Sequence, residues 1–168
     1  VAFIRGNLAG LTLSALFFGL YFLIGSVLNF PSFDVDDIFF DADGFIWRYR
    51  LTTDHWQDFY WRSIHPLALL ILKPSITLLS VFLRGNLYFA AIALTASAGA
   101  VCVFLTWMLM KDVFQDSPSA LIMAFLLGIS TSHLIFGSLI ETYIFLAVAT
   151  LFFFVLMQKG NRFLPLLV

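Results

Sequence analysis

Long apolar runs separated by short polar breaks set the first reading of this chain. Leu8–Leu28 is apolar over about 20 residues, enough for a helix to cross roughly 30 Å of hydrocarbon. Arg5 precedes it, and Asn29-Phe30-Pro31 ends it, because proline cannot continue a helix and disfavours helix in the residue before it. Asn86–Met110 is a second such run, stopped by Lys111-Asp112. Ser119–Phe136 follows Asp116-Ser117-Pro118, where Asp116 or Ser117 can cap the helix start and proline sits in the first turn. A turn at Gly137-Ser138 leads to Glu141, and Thr142–Met157 runs to the polar stretch Lys159-Gly160-Asn161-Arg162. Phe163 opens another apolar run. The pattern predicts an all-α, polytopic transmembrane helical bundle forming one domain over 1–168. Its spans fall at about 8–28, 86–110, 119–136 and 141–158, and another begins at 163. The chain reads as a piece of a longer protein.

The stretch between the first two runs, 29–84, breaks this rhythm. It holds Asp34, Asp36, Asp37, Asp41, Asp43, Asp54 and Asp58, seven of the ten acidic residues. Asp34, Asp37 and Asp41 are helically spaced, and Asp58 precedes Arg62 in the favourable i,i+4 order. Phe39, Phe40, Phe45, Trp47, Trp56, Tyr60 and Trp61 interleave with the charges, and Trp and Tyr concentrate at membrane–water interfaces. This predicts short helices lying on the membrane surface. His65–Leu83 is apolar but is cut by Lys73-Pro74, so it reads as a kinked span or as two short interfacial helices. Positive charge favours the second. If 65–83 does not cross, Arg5, Lys111, Lys159 and Arg162 all face the cytoplasm, and the acidic loop shares the other face with Glu141.

Composition agrees with the membrane class. Of 168 residues, 61% are hydrophobic and 11% charged, against about 25% charged in soluble domains. The net charge is -1 and there is no basic run, so no nucleic-acid partner is expected. The single cysteine, Cys102, lies inside an apolar run and reads as a small buried hydrophobe. The sequence has no GxSxG, HExxH, Walker or CxxC pattern, which leaves serine hydrolase, zinc protease and ATPase readings unsupported.

Four groups of residues can carry chemistry. Asp41 and Asp43 can act as a general base or hold a divalent cation beside a phosphate. The alternative is a solvated acidic face; a calcium loop fails because Phe39-Phe40 interrupts the acid spacing. His65, fixed by Pro66, can bind a phosphate or orient a carboxylate at a cavity mouth, or simply mark a helix boundary. His133 suits interhelical hydrogen bonding. Glu141 opens a span, where acids are costly unless paired or functional, though a helix N-terminus also favours a negative charge. Arg48, Arg50, Arg62, Lys73 and Arg84 can neutralise a lipid phosphate, or pair with the surrounding acids.

Three of these groups, Phe39-Phe40-Asp41-Ala42-Asp43, His65-Pro66-Leu67 and Ser138-Leu139-Ile140-Glu141-Thr142-Tyr143, occur in an order that resembles a known family. The chain looks like the N-terminal part of the GT-C superfamily of integral-membrane glycosyltransferases, close to the protein mannosyltransferase and aminoarabinose transferase group. The resemblance covers roughly Leu8–Gln158. It departs from the family where Gly44 follows Asp43, where Leu67 follows Pro66, and where Glu141 stands in place of a frequent Asp. It implies a catalytic acid in the first external loop, with Asp41 and Asp43 as alternatives and Glu141 assisting. It implies phosphate contacts from His65, Arg62 and Arg48, and a metal, if any, on Asp43 and Asp41. The donor would be a polyprenyl-phosphate-linked sugar held in membrane lipid, with the active loop on the non-cytoplasmic side of a bacterial inner membrane or its equivalent. The rival expectation is a non-enzymatic polytopic membrane protein, a transporter or an assembly subunit.

Overall fold

The computed structural model describes residues 2–30, 44–53, 55 and 66–160. Every regular element among them is a helix: α1 (Ala2–Leu28), α2 (Gly44–Thr52), α3 (Pro66–Phe82), α4 (Leu87–Phe114), α5 (Ser117–Ile129), α6 (Thr131–Phe136) and α7 (Tyr143–Gly160). The all-α expectation holds. Two helices are long and apolar enough to cross a membrane, at Gly6–Leu28 and Leu87–Phe114.

α4 is the axis. Its span is 61% buried, against 17% for that of α1. It can be central because its inward positions are small: Ala90, Ala91, Ala96, Ala98, Gly99 and Ala100 are all buried, and small residues let helix backbones approach closely. Tyr21 of α1 uses the room over Gly99, where an added methyl would come within 2.8 Å of its ring. Its hydroxyl then reaches across to donate to the Gly128 carbonyl of α5 at 2.9 Å. The Ser14 hydroxyl donates to the Ala100 carbonyl at 2.6 Å, which fixes the register of α1 on α4.

α1 and α4 run antiparallel. The Lys111 ammonium, late in α4, donates to the carbonyl of Gly6, early in α1. At the other end, Gly25 packs against Ile92 near the start of α4. The end of α1 and the start of α4 therefore lie at the same end of the molecule.

α3 differs from its expected form. Lys73-Pro74 does not cut it; one helix runs through Pro74, which is exposed. Proline removes one backbone donor. The carbonyl this leaves without its helical donor is that of Leu70, four residues back; the Ser75 and Thr77 hydroxyls bond the neighbouring Ile71 and Lys73 carbonyls, both at 2.9 Å. Leu69, Leu72 and Ile76 form its buried face. They join Trp47 and Leu51 of α2, Ala90–Ile92 of α4 and Ile140 in one cluster. No α3 residue joins the two clusters further along α4. A helix folded back along α4 from the short turn at 83–86 would put Leu69 opposite the middle of α4. Here, α2 and α3 instead gather at one end of it. The turn itself uses Arg84 and Gly85 at φ 57° and 79°, the second being the left-handed backbone that glycine adopts without strain.

The single helix expected over 119–136 is two. Ser130 adopts extended backbone (φ -60°, ψ 141°) and its hydroxyl bonds the Leu127 carbonyl, so α5 has 13 residues and α6 has 6. The expected start at 141 also moves: α7 begins at Tyr143, and Glu141 lies in the turn before it. The outward faces are apolar throughout. Leu16, Leu23, Val81, Phe82, Ile122, Leu146 and Phe153 are each more than half exposed.

Asp116 caps α5 as the sequence suggests, accepting from the Ser119 amide at 2.9 Å. Hydrogen bonds from the Ser119 side chain and backbone hold its carboxyl below the ordinary carboxylate range. A depressed folded-state value means the cap stabilises above the unfolded value of about 3.9 and is lost as pH falls through the lower folded one. The loss of melting temperature caused by Asp116→Ala, measured in detergent, should stay constant from about pH 5 to 8 and shrink below about pH 4.

Candidate functional site

The site sits at the end of the bundle where α1 finishes, and Asn29 builds it. Asn29 ends α1 and is buried. Its amide nitrogen donates to the Gly25 carbonyl at 2.7 Å and to the Ser138 carbonyl at 2.9 Å. Its side-chain oxygen accepts from the Ile140 amide at 2.9 Å. Its backbone carbonyl accepts from Arg48 Nη1 at 2.6 Å. One residue thus joins the end of α1, the turn 138–140 and α2. Helix ends leave carbonyls without intrahelical partners, and in apolar surroundings an unmet polar group is costly. This arrangement meets several at once.

The turn held by Asn29 carries Glu141. The side chain is 3% exposed, which is rare for a carboxylate. Its Oε1 accepts from the Thr142 amide at 2.7 Å and from the Thr142 hydroxyl at 3.1 Å. Both donors belong to the residue just before α7, so Glu141 stands two positions ahead of the helix that it was expected to open.

α2 closes the other side. Gly44 begins it and lies against Leu139; an added methyl would come within 3.2 Å of that side chain. Trp47 and Leu51 turn into the core. Arg48, a predicted phosphate ligand, is half-buried and anchored on Asn29. Lys73 carries a contact that the sequence did not suggest. Its ammonium donates to the carbonyls of Leu51 at 2.9 Å and Thr53 at 2.6 Å, so it caps the C-terminal end of α2, where a cation is favoured. Arg50 lies 5.9 Å from the Trp47 ring centre, a cation–π contact. Arg84 sits in the α3–α4 turn.

His133 fills the interhelical role expected of it: Nε2 lies 3.1 Å from the Gly99 carbonyl, with the ring edge-on to Tyr21. Cys102 is fully buried, as expected. Asp41, Asp43, Arg62 and His65 lie outside the described residues. The structure therefore brings together Arg48 and Glu141 from the expected set, through Asn29. Sequence reading treated Asn29 only as part of a helix stop. Its one sequence signal is an amide, both donor and acceptor, at the last position before a proline-bearing loop.

No family model matches this chain, and neither the curated proteins nor the solved structures contain a similar one.

Asn29→Ala should lower unfolding stability by about 2 to 3 kcal/mol, because it leaves the buried Ile140 amide without its acceptor. Asn29→Asp keeps an acceptor for Ile140 but sets a carboxylate against the Gly25 and Ser138 carbonyls, so near neutral pH it should destabilise at least as much. Thermal unfolding in detergent with both variants measures this.

Proposed function

We propose that this chain is part of a multi-pass membrane glycosyltransferase that moves a sugar from a polyprenyl-phosphate donor to an acceptor at the non-cytoplasmic face. The observation that carries the reading is the junction of Gly44 with Leu139. Asp43 is bonded to Gly44, and Leu139 stands two residues before the buried Glu141. The residue that follows the acidic loop in sequence thus packs against the turn that leads to Glu141, at the end of the bundle where Arg48 is anchored on Asn29.

The topology supports this. α1 and α4 are antiparallel, and the end of one lies beside the start of the other. If both cross, the chain between them crosses an even number of times. α3 is the apolar helix in that interval, so the geometry favours α3 lying at the membrane surface. Lys73 points the same way. It sits midway along α3 and holds the end of α2, a helix carrying Arg48 and Arg50, which does not suit the middle of a bilayer. Lys111 and the start of α1 then share the cytoplasmic face, as the positive-inside rule requires. α5 and α6 return the chain to the outer face at Glu141, and the apolar outer surfaces of α1, α5 and α7 meet lipid.

In this reading the isoprenoid tail lies among the acyl chains and the phosphate sits at the α2 end. Asp43 or Asp41 takes the proton of the acceptor hydroxyl as its oxygen bonds to the anomeric carbon. The anomeric carbon–phosphate oxygen bond breaks, and polyprenyl phosphate departs with the electron pair. Arg48, Arg62 and His65 neutralise the leaving phosphate, charge against charge. A divalent cation on Asp41 and Asp43 would serve the same purpose. Glu141, held rigid by Thr142, shapes the pocket floor.

Changing both Asp41 and Asp43 to Asn should reduce release of polyprenyl phosphate from a polyprenyl-phosphate sugar by about 100-fold or more in membranes containing the protein. Undiminished transfer would sink the enzymatic role of these acids and favour a transporter or assembly subunit. In a Cys102→Ser background, Asp43→Cys and Tyr143→Cys should react with an impermeant maleimide from outside, and Asp112→Cys only from inside. Tyr143 is 56% exposed and so reports on the Glu141 turn without disturbing its buried acid. Opposite labelling of 43 and 143 would mean that the acids do not share a compartment.

A further inference from the structure

At the opposite end of the bundle, a groove of about 630 Å³ runs between α1, α4 and α5. Along its length it is apolar, with Leu8, Leu13 and Leu16 on one wall; Thr12, Trp107 and Ser117 also line it. From Gly6 to Leu16 the helix rises about 15 Å, so the groove is long as well as narrow.

Its polar end is made of donors. Lys111 reaches over the Trp107 ring, 4.6 Å from the ring centre. Its bond to the Gly6 carbonyl uses one of three ammonium protons. The Trp107 indole N–H is buried and has no hydrogen-bond partner among the described residues, and Trp107 is 1% exposed. Ser117 opens α5 and lines the groove, while the N-terminus of that helix is already capped by the Asp116 carboxylate. No charged side chain lines the groove itself: Lys111 borders it through its bond to the carbonyl of Gly6, a lining residue, while Asp112 and Asp116 are exposed beside it. Asp116 is engaged with the Ser119 amide.

An apolar channel bordered at one end by a lysine ammonium matches an amphiphile with an anionic head. We propose that the groove binds one anionic phospholipid of the leaflet at the Lys111 face. An acyl chain lies along Leu8, Leu13 and Leu16, and the phosphate meets Lys111. The proposal rests on the membrane placement of α1 and α4 and is independent of the chemistry at the other end, so its failure leaves the transferase reading untouched.

Trp107 makes the test direct, because brominated acyl chains quench tryptophan on contact. The full chain is placed in nanodiscs containing brominated phosphatidylglycerol or brominated phosphatidylcholine. The Trp107 signal is the part lost in Trp107→Phe. Phosphatidylglycerol should quench it at about fivefold lower mole fraction, the preference one lysine supplies near a membrane surface. Lys111→Gln should abolish that preference, and Thr12→Phe, which fills the groove, should abolish the quenching by both lipids. Equal quenching by both lipids in the unaltered protein would overturn the proposal, as would a preference that survives Lys111→Gln. Absence of quenching would overturn it too, since the groove would then be closed to lipid.

Discussion

Everything at the candidate site hangs on one carboxamide. In an apolar bundle the backbone groups at helix ends have little water to turn to, so each needs a protein partner. Asn29 supplies partners to three chain segments with a single residue. Its donor and acceptor lie on one rigid planar group, which ties the separation of the turn 138–140 from α1 to the geometry of an amide. The backbone carbonyl of the same residue then orients Arg48. A hydrophobic contact at this position would supply attraction without direction. The amide supplies both, and that is how Glu141 comes to occupy a defined place although it is not part of a helix.

The clamp closes because α4 permits it. Alanine and glycine along its inner face bring α1 and α5 close enough for Tyr21 to span from one to the other. Glycine would ordinarily weaken a helix by about 1 kcal/mol relative to alanine. At Gly99 that cost is offset by the ring packed over it and by the carbonyl exposed to His133. Ser14, Tyr21 and His133 therefore act between helices, each bonding a backbone carbonyl of a neighbour. They bring α1, α5 and α6 together around α4 with no buried ion pair among them in the described residues.

The two ends of the bundle are chemically unlike. One gathers Asn29, Arg48 and the buried Glu141 where α2 and α3 pack on the start of α4. The other carries Lys111, folded over Trp107, above an apolar groove. Such polarity is what a membrane protein needs if it is to hold one orientation and expose different chemistry to each compartment. The proposed transfer reaction uses the first end and the proposed phospholipid the second.

The sequence by itself determined the helical class and the two long apolar helices. Those depend on runs of apolar residues, which are local properties. It also determined the position of the α5 cap and the boundary at Glu141, because capping residues act on their own neighbours. Other features needed the folded chain. The unbroken path of α3 through Pro74 and the break at Ser130, whose hydroxyl bonds the Leu127 carbonyl, run against the local sequence signals. That Lys73 reaches the carbonyls at the end of α2 is visible only in the folded chain. Asn29 carried almost no signal, since an amide between an apolar run and a proline looks like any helix stop. Its partners are more than 100 residues away along the chain, and a hydrogen bond between distant segments leaves no periodic pattern in either. Which segments an amide can satisfy is decided only when close packing on α4 has brought them within about 3 Å.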